Sequence, residues 1–178
     1  MKKIFILMGP SGSGKTTLAR HLGEKNIPEL ISHTTRPKRE KEIHGIDYYF
    51  VNKDEWDQIE KIESAEYAGN YYCLSKQEVD EKFKLSNTVF IIAEKHGAEQ
   101  IIDKFPGAAE VIFITIPLKE MERRMRARGD TEEQIKKRLN NAVKNNEHDD
   151  HGLSSYHIEN FDLDLSKQII EEIILAWD

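Results

Sequence analysis

Cysteine, tryptophan and proline are scarce: the 178 residues contain one, two and five of them. The lone Cys73 cannot close an intramolecular disulfide, which excludes the stapled scaffold of a small secreted domain. Long apolar runs are missing as well. Ile4 to Met8 and Val89 to Ala93 fall far short of the ~20 residues of a membrane-spanning helix and read as buried strands. No N-terminal stretch joins a charged start, an extended apolar segment and a small-residue cleavage site, so a cytoplasmic protein without a membrane partner is expected. Basic excess is lacking too. A formal net charge of −6 argues against nucleic acid as a partner, because its binders present a basic face to the phosphate backbone.

What remains is an ordinary globular balance, 38% hydrophobic and 33% charged residues, without repeats, low-complexity segments or flexible linkers. The length suits one folding unit that buries its own core. Lys3 to Met8 is an apolar strand stopped by Gly9-Pro10, and Thr16 to Glu24 shows helical spacing through Leu18, Ala19 and Leu22. Thr88 to Ala93 and Glu110 to Ile116 read as buried parallel strands. Helix starts are signalled by Asn52 with Glu55, by Ser75 with Glu78, by Pro117 and by Asp130 with Glu133. The helix from Pro117 runs through Met121 and Met125 toward Gly129, and the next passes through Ile135, Leu139 and Val143. A short strand, Tyr156 to Asn160, and an apolar helix, Ser166 to Trp177, follow. Strands alternating with helices imply an α/β fold with a central parallel sheet flanked by helices and ligands at the strands' carboxyl ends. Residues 32–75 break the rhythm. They hold short aromatic strands at Asp47 to Val51 and Asn70 to Cys73, which predicts an inserted subdomain.

Gly9-Pro10-Ser11-Gly12-Ser13-Gly14-Lys15-Thr16 matches G-x-x-x-x-G-K-[ST] between a strand and a helix, the setting in which this pattern cradles a triphosphate. Glycines let successive backbone N–H groups turn toward phosphate oxygens, and the helix N-terminus adds partial positive charge. Lys15 then reaches the β- and γ-phosphates, and the Thr16 hydroxyl is a ligand for Mg²⁺. Such a loop leaves the phosphoryl acceptor open. In Ser32-His33-Thr34-Thr35-Arg36-Pro37-Lys38-Arg39, two arginines stand three residues apart in a proline-broken, extended segment. Guanidinium forks match phosphate oxygens, so Arg36 and Arg39 are candidates for holding one anion, with the hydroxyls of Tyr48 and Tyr72 completing the cage. Lys38 and Lys41 read as solvated charge.

At this point the chain resembles a guanylate kinase, a P-loop nucleoside monophosphate kinase, over nearly its whole length. The matching segments are Gly9 to Leu18, Ser32 to Pro37, Gly45-Ile46-Asp47-Tyr48-Tyr49-Phe50-Val51 and Gly69-Asn70-Tyr71-Tyr72. The resemblance implies a single P-loop NTPase domain with core 1–31, 76–123 and 139–178, a GMP-binding insert 32–75 and a lid 124–138. It implies ATP contacts along Gly9, Pro10, Ser11, Gly12, Ser13, Gly14, Lys15, Thr16 and Thr17, with Asn160 near the adenine ring. It also implies GMP contacts by Ser32, Arg36, Arg39, Tyr48, Glu63, Tyr72 and Glu94, with Glu63 as the guanine-reading carboxylate. An ionised carboxylate accepts from the N1–H and N2 amino groups of guanine, whereas adenine offers a bare acceptor at N1. Read without the family, Glu63 is a surface glutamate at a helix exit.

Glu122-Arg123-Arg124-Met125-Arg126-Ala127-Arg128-Gly129, followed by Lys137-Arg138, concentrates positive charge in an acidic chain. It resembles the family's lid, whose pattern selects Arg124, Arg128 and Arg138 as catalytic beside Lys15. Arginines arriving on closure stabilise the charge spread over the transferring oxygens. Arg123, Arg126, Lys136 and Lys137 read as solvated helix faces, and Glu120 with Arg124 as an i,i+4 pair. Three departures stand out. Cys73 and Leu74 replace a glycine and a hydroxyl residue, Ile92 and Glu94 replace two aspartates at the end of the strand from Thr88, and the lid is one residue short. The leading expectation is transfer of the γ-phosphoryl of ATP to GMP with Mg²⁺, by a monomer or homodimer. A kinase of the same fold acting on a ribose bisphosphate, and a non-catalytic interaction module, are the alternatives.

Overall fold

Two apolar faces on one strand organise the molecule. In the computed structural model, which describes residues 1–67, 69–127, 129–144 and 148–177, β1 (Lys3–Met8) is buried along its whole length. Side chains alternate across a strand, so Ile4, Ile6 and Met8 face one hydrophobic cluster while Phe5 and Leu7 face the other. β1 lies between β6 (Thr88–Ile92) and β7 (Ala109–Thr115), with β8 (Tyr156–Glu159) outside β7, and every pairing is parallel. The sheet is covered on both faces, as parallel sheets require. On the Phe5 face pack α1 (Lys15–Glu24) and α7 (Leu163–Leu175) through Leu18, Leu22, Ile170 and Ile174. On the other face pack α3 (Lys76–Leu85) and α4 (Lys95–Lys104) through Val79, Ala98 and Ile101.

Between α1 and α3 the chain builds a second sheet in the order β3-β2-β5-β4, from β2 (His33–Thr34), β3 (Tyr49–Phe50), β4 (Lys61–Tyr67) and β5 (Asn70–Ser75). Only β2 and β3 pair in parallel. Ahead of β4 lies the short α2 (Lys53–Gln58), opened by a complete capping box between Asn52 and Glu55. After β7, α5 (Leu118–Ala127) and α6 (Glu132–Lys144) close a small core of their own from Ile116, Met121, Met125, Ile135, Leu139 and Ala142. Among the described residues no helix is long and apolar enough to cross a membrane.

Local details differ from the sequence reading. β4 was not foreseen; a bulge at Ile62 breaks its alternation, and Glu63 lies buried in this strand instead of at a helix exit. The expected strand 47–51 shrinks to Tyr49–Phe50 because residues 43–48 turn back on themselves, Gly45 N–H donating to Tyr48 O and Ile43 N–H to Asp47 Oδ2. Ser75 caps α3, but the Glu78 carboxylate does not return to the cap and is used elsewhere. Thr131 and Gln134, not Asp130 and Glu133, form the reciprocal bonds that open α6. Asp162 caps α7, so that helix begins at Leu163, ahead of Ser166. Val143 is exposed, and Ala142 fills the core position.

Candidate functional site

The carboxyl end of β1 runs into a loop whose backbone only glycine permits at two points. A Cβ on Gly9 would lie 2.1 Å from Ile114 O, and one on Gly14 would lie 2.2 Å from Asn160 Nδ2, both at positive φ. The loop is held from beneath by Asn160, fully buried directly after β8, whose amide donates to Ser13 O at 2.7 Å. From the side Met121 and Met125 approach it, 3.0 and 3.4 Å from a Cβ built on Gly12. Lys15 folds over the loop and donates to Gly9 O at 2.5 Å and Pro10 O at 3.0 Å. Its ammonium thus lies over the first residues of the loop.

Around the loop opens a cavity of about 570 Å³ lined by Ser11, Gly12, Lys15, Thr16, Arg124, Arg138 and Asn160, among others. Arg124 donates from Nη2 to Asn160 O at 2.5 Å and to Phe161 O at 3.2 Å, and from Nε to Glu120 at 3.0 Å. Arg138 Nη1 lies 3.5 Å from Ser11 Oγ and 4.0 Å from Asp130. Three cations from three elements therefore face one concave space, an arrangement suited to a polyphosphate. Arg123 pairs with Glu120, and Arg126 is chelated by Glu122 and Glu132, so both are surface charges as read from the sequence. Arg128 lies outside the described residues.

A second cavity of about 500 Å³ lies on the other side of Thr16, lined also by Arg20, Glu29, Ser32, Asp47, Tyr48 and Ile92. Thr16, exposed at the start of α1, borders both spaces. Next to Tyr48, which lines this second cavity, the second sheet and the loop after β2 gather Arg36 and Tyr72. Buried Thr34 accepts from Arg36 N–H through Oγ1 and donates to Tyr71 O, a turn that presents the Arg36 side chain. The guanidinium lies 5.5 Å from the Tyr48 ring centroid, and Tyr48 meets Tyr72 edge-on at 5.9 Å. Arg39 is exposed on the same loop. Sequence reasoning missed Glu42, which takes both arms of the Arg36 fork at 2.7 and 3.0 Å and accepts Arg39 N–H at 2.8 Å. Bonding to Arg36 holds the Glu42 carboxyl below its ordinary range. An i,i+6 pair in a loop has no periodic signature, so composition could not have found it.

Glu63 is 8% exposed and lies against α4, its Oε2 3.5 Å from a Cβ built on Gly97. Burial pushes its carboxyl up to about 7, opposed by a backbone hydrogen bond from Leu74. Beside it Gln100 clasps Ser64, accepting from its N–H and donating to its carbonyl, both at 3.2 Å. Leu74 is fully buried in the core cluster, so no hydroxyl stands at that position to meet a base. Glu94 is the exposed N-cap of α4, and its side chain makes no capping bond. Among the described residues no cluster of three or more His, Cys, Asp or Glu is gathered for a metal.

Comparison with known proteins bears on the family and the fold. The family model described as "Guanylate kinase" matches residues 1–176. A guanylate kinase of Nostoc sp. is 41% identical over 148 residues, 79% of this chain and 74% of that protein. The guanylate kinase of Escherichia coli is 37% identical over 183 residues, 97% of this chain and 87% of that one. Among solved structures, the guanylate kinase from Anaplasma phagocytophilum superposes with a TM-score of 0.74 at 29% identity, covering 98% of this chain and 85% of that chain.

Proposed function

The chain belongs to the guanylate kinase family, and we propose on that basis and on the geometry above that it transfers the γ-phosphoryl group of ATP to GMP, releasing ADP and GDP. The observation that carries the reading is the position of Thr16, which borders both a cavity ringed by Lys15, Arg124 and Arg138 and a cavity bearing Ser32 and Tyr48. A donor triphosphate on one side and an acceptor phosphate on the other would meet beside it.

In this reading the loop from Gly9 to Thr17 holds the triphosphate, Lys15 leaves its loop carbonyls for the β- and γ-oxygens, and Asn160 borders the nucleoside. Residues 32–75 form the acceptor-binding insert. Arg36, Arg39, Tyr48 and Tyr72 hold the GMP phosphate, Ser32 and Glu63 meet the base, and Glu94 lies at the rim. Residues 124–138 act as the lid, bringing Arg124, Arg128 and Arg138 to the charge that develops on the transferring oxygens and keeping water out. Mg²⁺ fits the exposed Thr16 hydroxyl and, when bound with ATP, supplies neutralisation of phosphate charge. Little proton chemistry is asked of the protein; positioning and electrostatics carry the step. Lys15, Thr16, Arg124 and Arg138 around one cavity argue against a non-catalytic interaction module.

A coupled ADP-release assay across GMP, dGMP, AMP, CMP, UMP and ribose phosphates tests the proposal. GMP is expected to be the best acceptor. A higher kcat/KM for AMP or for a ribose phosphate would overturn it.

A further inference from the structure

Glu78 is a charged residue only 5% exposed in the first turn of α3, and nothing in the phosphoryl-transfer machinery uses it. Its carboxylate binds parts of the chain far apart in sequence. Oε1 accepts the N–H of Ile31, at the point where the chain leaves the core for β2, at 3.0 Å. Oε2 accepts the hydroxyl of Tyr49 in β3, also at 3.0 Å. Its own N–H donates to Ser75 Oγ at 3.1 Å, where the chain returns from β5 to the core. One residue therefore ties both crossings between the two sheets and the edge strand beyond them. Lys82 Nζ, one turn along α3, lies 3.5 Å from Oε1 and balances the charge.

We infer that Glu78 is a positioning residue for acceptor binding, acting through Tyr49 to hold the segment that carries Tyr48 and Arg36. This rests on the proposed role of residues 32–75. Neighbouring residues of an extended segment point to opposite sides. Tyr49 reaches back to Glu78, and Tyr48 lines the cavity shared with Thr16 and touches both Arg36 and Tyr72. Tyr49, Glu78 and Lys82 line a cavity of about 530 Å³ together with His33, Ser75 and Lys84, and the ring of His33 lies 4.7 Å from that of Tyr49. The bond from Tyr49 to the buried Glu78 carboxylate thus adds a side-chain tether to the β2 ladder in placing β3. A purely local role, capping α3 and balancing Lys82, would affect stability without favouring one substrate over the other.

Tyr49→Phe removes only the hydroxyl of a partly exposed residue and should fold. Loss of this one bond is expected to raise KM for GMP by roughly five- to tenfold while leaving KM for ATP within about twofold. Glu78→Leu, which offers no partner to the Tyr49 hydroxyl or the Ile31 N–H, should act in the same direction, and the double variant should be no worse than the stronger single one, because both remove the same link. Amide exchange should quicken at Ile31 in Glu78→Leu, and across residues 43–51 in both variants. Equal shifts in the two KM values, or fully additive effects with unchanged exchange in 43–51, would overturn the inference. If the wild type does not phosphorylate GMP, the functional reading fails on its own, and the exchange pattern alone judges the Glu78 to Tyr49 link.

Discussion

The side-chain amide of Asn160 supports the phosphate loop, donating to Ser13 O at 2.7 Å while the carbonyl of the same residue receives Arg124. The residue directly after β8 thus connects the loop to the arginine above it. Asn160→Ala should leave the buried Ser13 carbonyl unpaired, at a cost of ~1–3 kcal/mol in stability. KM for ATP should rise several-fold, more than KM for GMP. Asn160→Asp, which turns acceptor against acceptor, should be worse than alanine. Thermal unfolding and steady-state kinetics on both variants check this, and an unaltered melting temperature would contradict it.

Lys15 donates to the carbonyls of Gly9 and Pro10 within its own loop and belongs to none of the core clusters. Lys15→Ala should therefore keep the fold and lose phosphoryl transfer by ~10²-fold or more, since it removes a charge aimed at developing phosphate charge. Turnover comparable with wild type, in a protein with unchanged circular dichroism, would remove Lys15 from the mechanism.

The two arginines of the acceptor loop should separate from those of the lid. Arg39→Ala and Arg36→Ala should raise KM for GMP far more than KM for ATP. Arg36 should be the more severe because its loss also releases Glu42 and the faces of Tyr48 and Phe50. Arg138→Ala and Arg128→Ala should act chiefly on kcat, through interactions made in the closed transition state. Initial-rate kinetics with each substrate varied decide the matter.

Glu63 gives the site a pH signature. Burial holds its carboxyl at about 7 against an ordinary 4.5, so ionisation is costlier in the folded chain than in the unfolded one. Stability from this group is full below about 4.5, is lost as pH climbs toward about 7, and stays level beyond. Glu63→Gln should remove that loss, raising the urea midpoint relative to wild type at pH 8 but not at pH 4.5. Guanine needs the ionised carboxylate, so kcat/KM for GMP should rise with pH and level off above about 7, a limb absent from the ATP profile and from Glu63→Gln. The phosphate of GMP titrates near ~6 and is a separate feature. Glu63→Gln should also cut the GMP/AMP preference roughly a hundredfold. An unchanged preference would mean that another group reads the base.

What was legible followed from periodicity and from one motif. β1, β6 and β7 are continuous apolar runs, and the glycine loop between β1 and α1 announces its own geometry. β4 was not legible, because the Ile62 bulge and the acidic Glu63 and Glu66 erase the alternation that marks a strand. The caps Asn52 and Ser75 were located as read, the starts of α6 and α7 were missed by one to three residues because Asp130, Thr131, Asp162 and Ser166 are all plausible caps, and α4 was given no start because Glu94 makes no side-chain cap. Site residues with a family pattern could be named from it. Glu42, Glu78 and Gln100 could not, because each acts on a partner whose proximity depends on the tertiary fold or an irregular loop.

The order of the central sheet also governs when it can form. β1 pairs with strands that begin at Thr88 and Ala109, so neither neighbour exists until about half the chain has been made. The hairpin of β4 and β5, with Glu66 opposite Tyr71, closes a loop of only a few residues. Loop-closure entropy favours such local pairing. During synthesis the acceptor-side hairpin can therefore assemble first, and the nascent β1, apolar on both faces, must be shielded until β7 emerges.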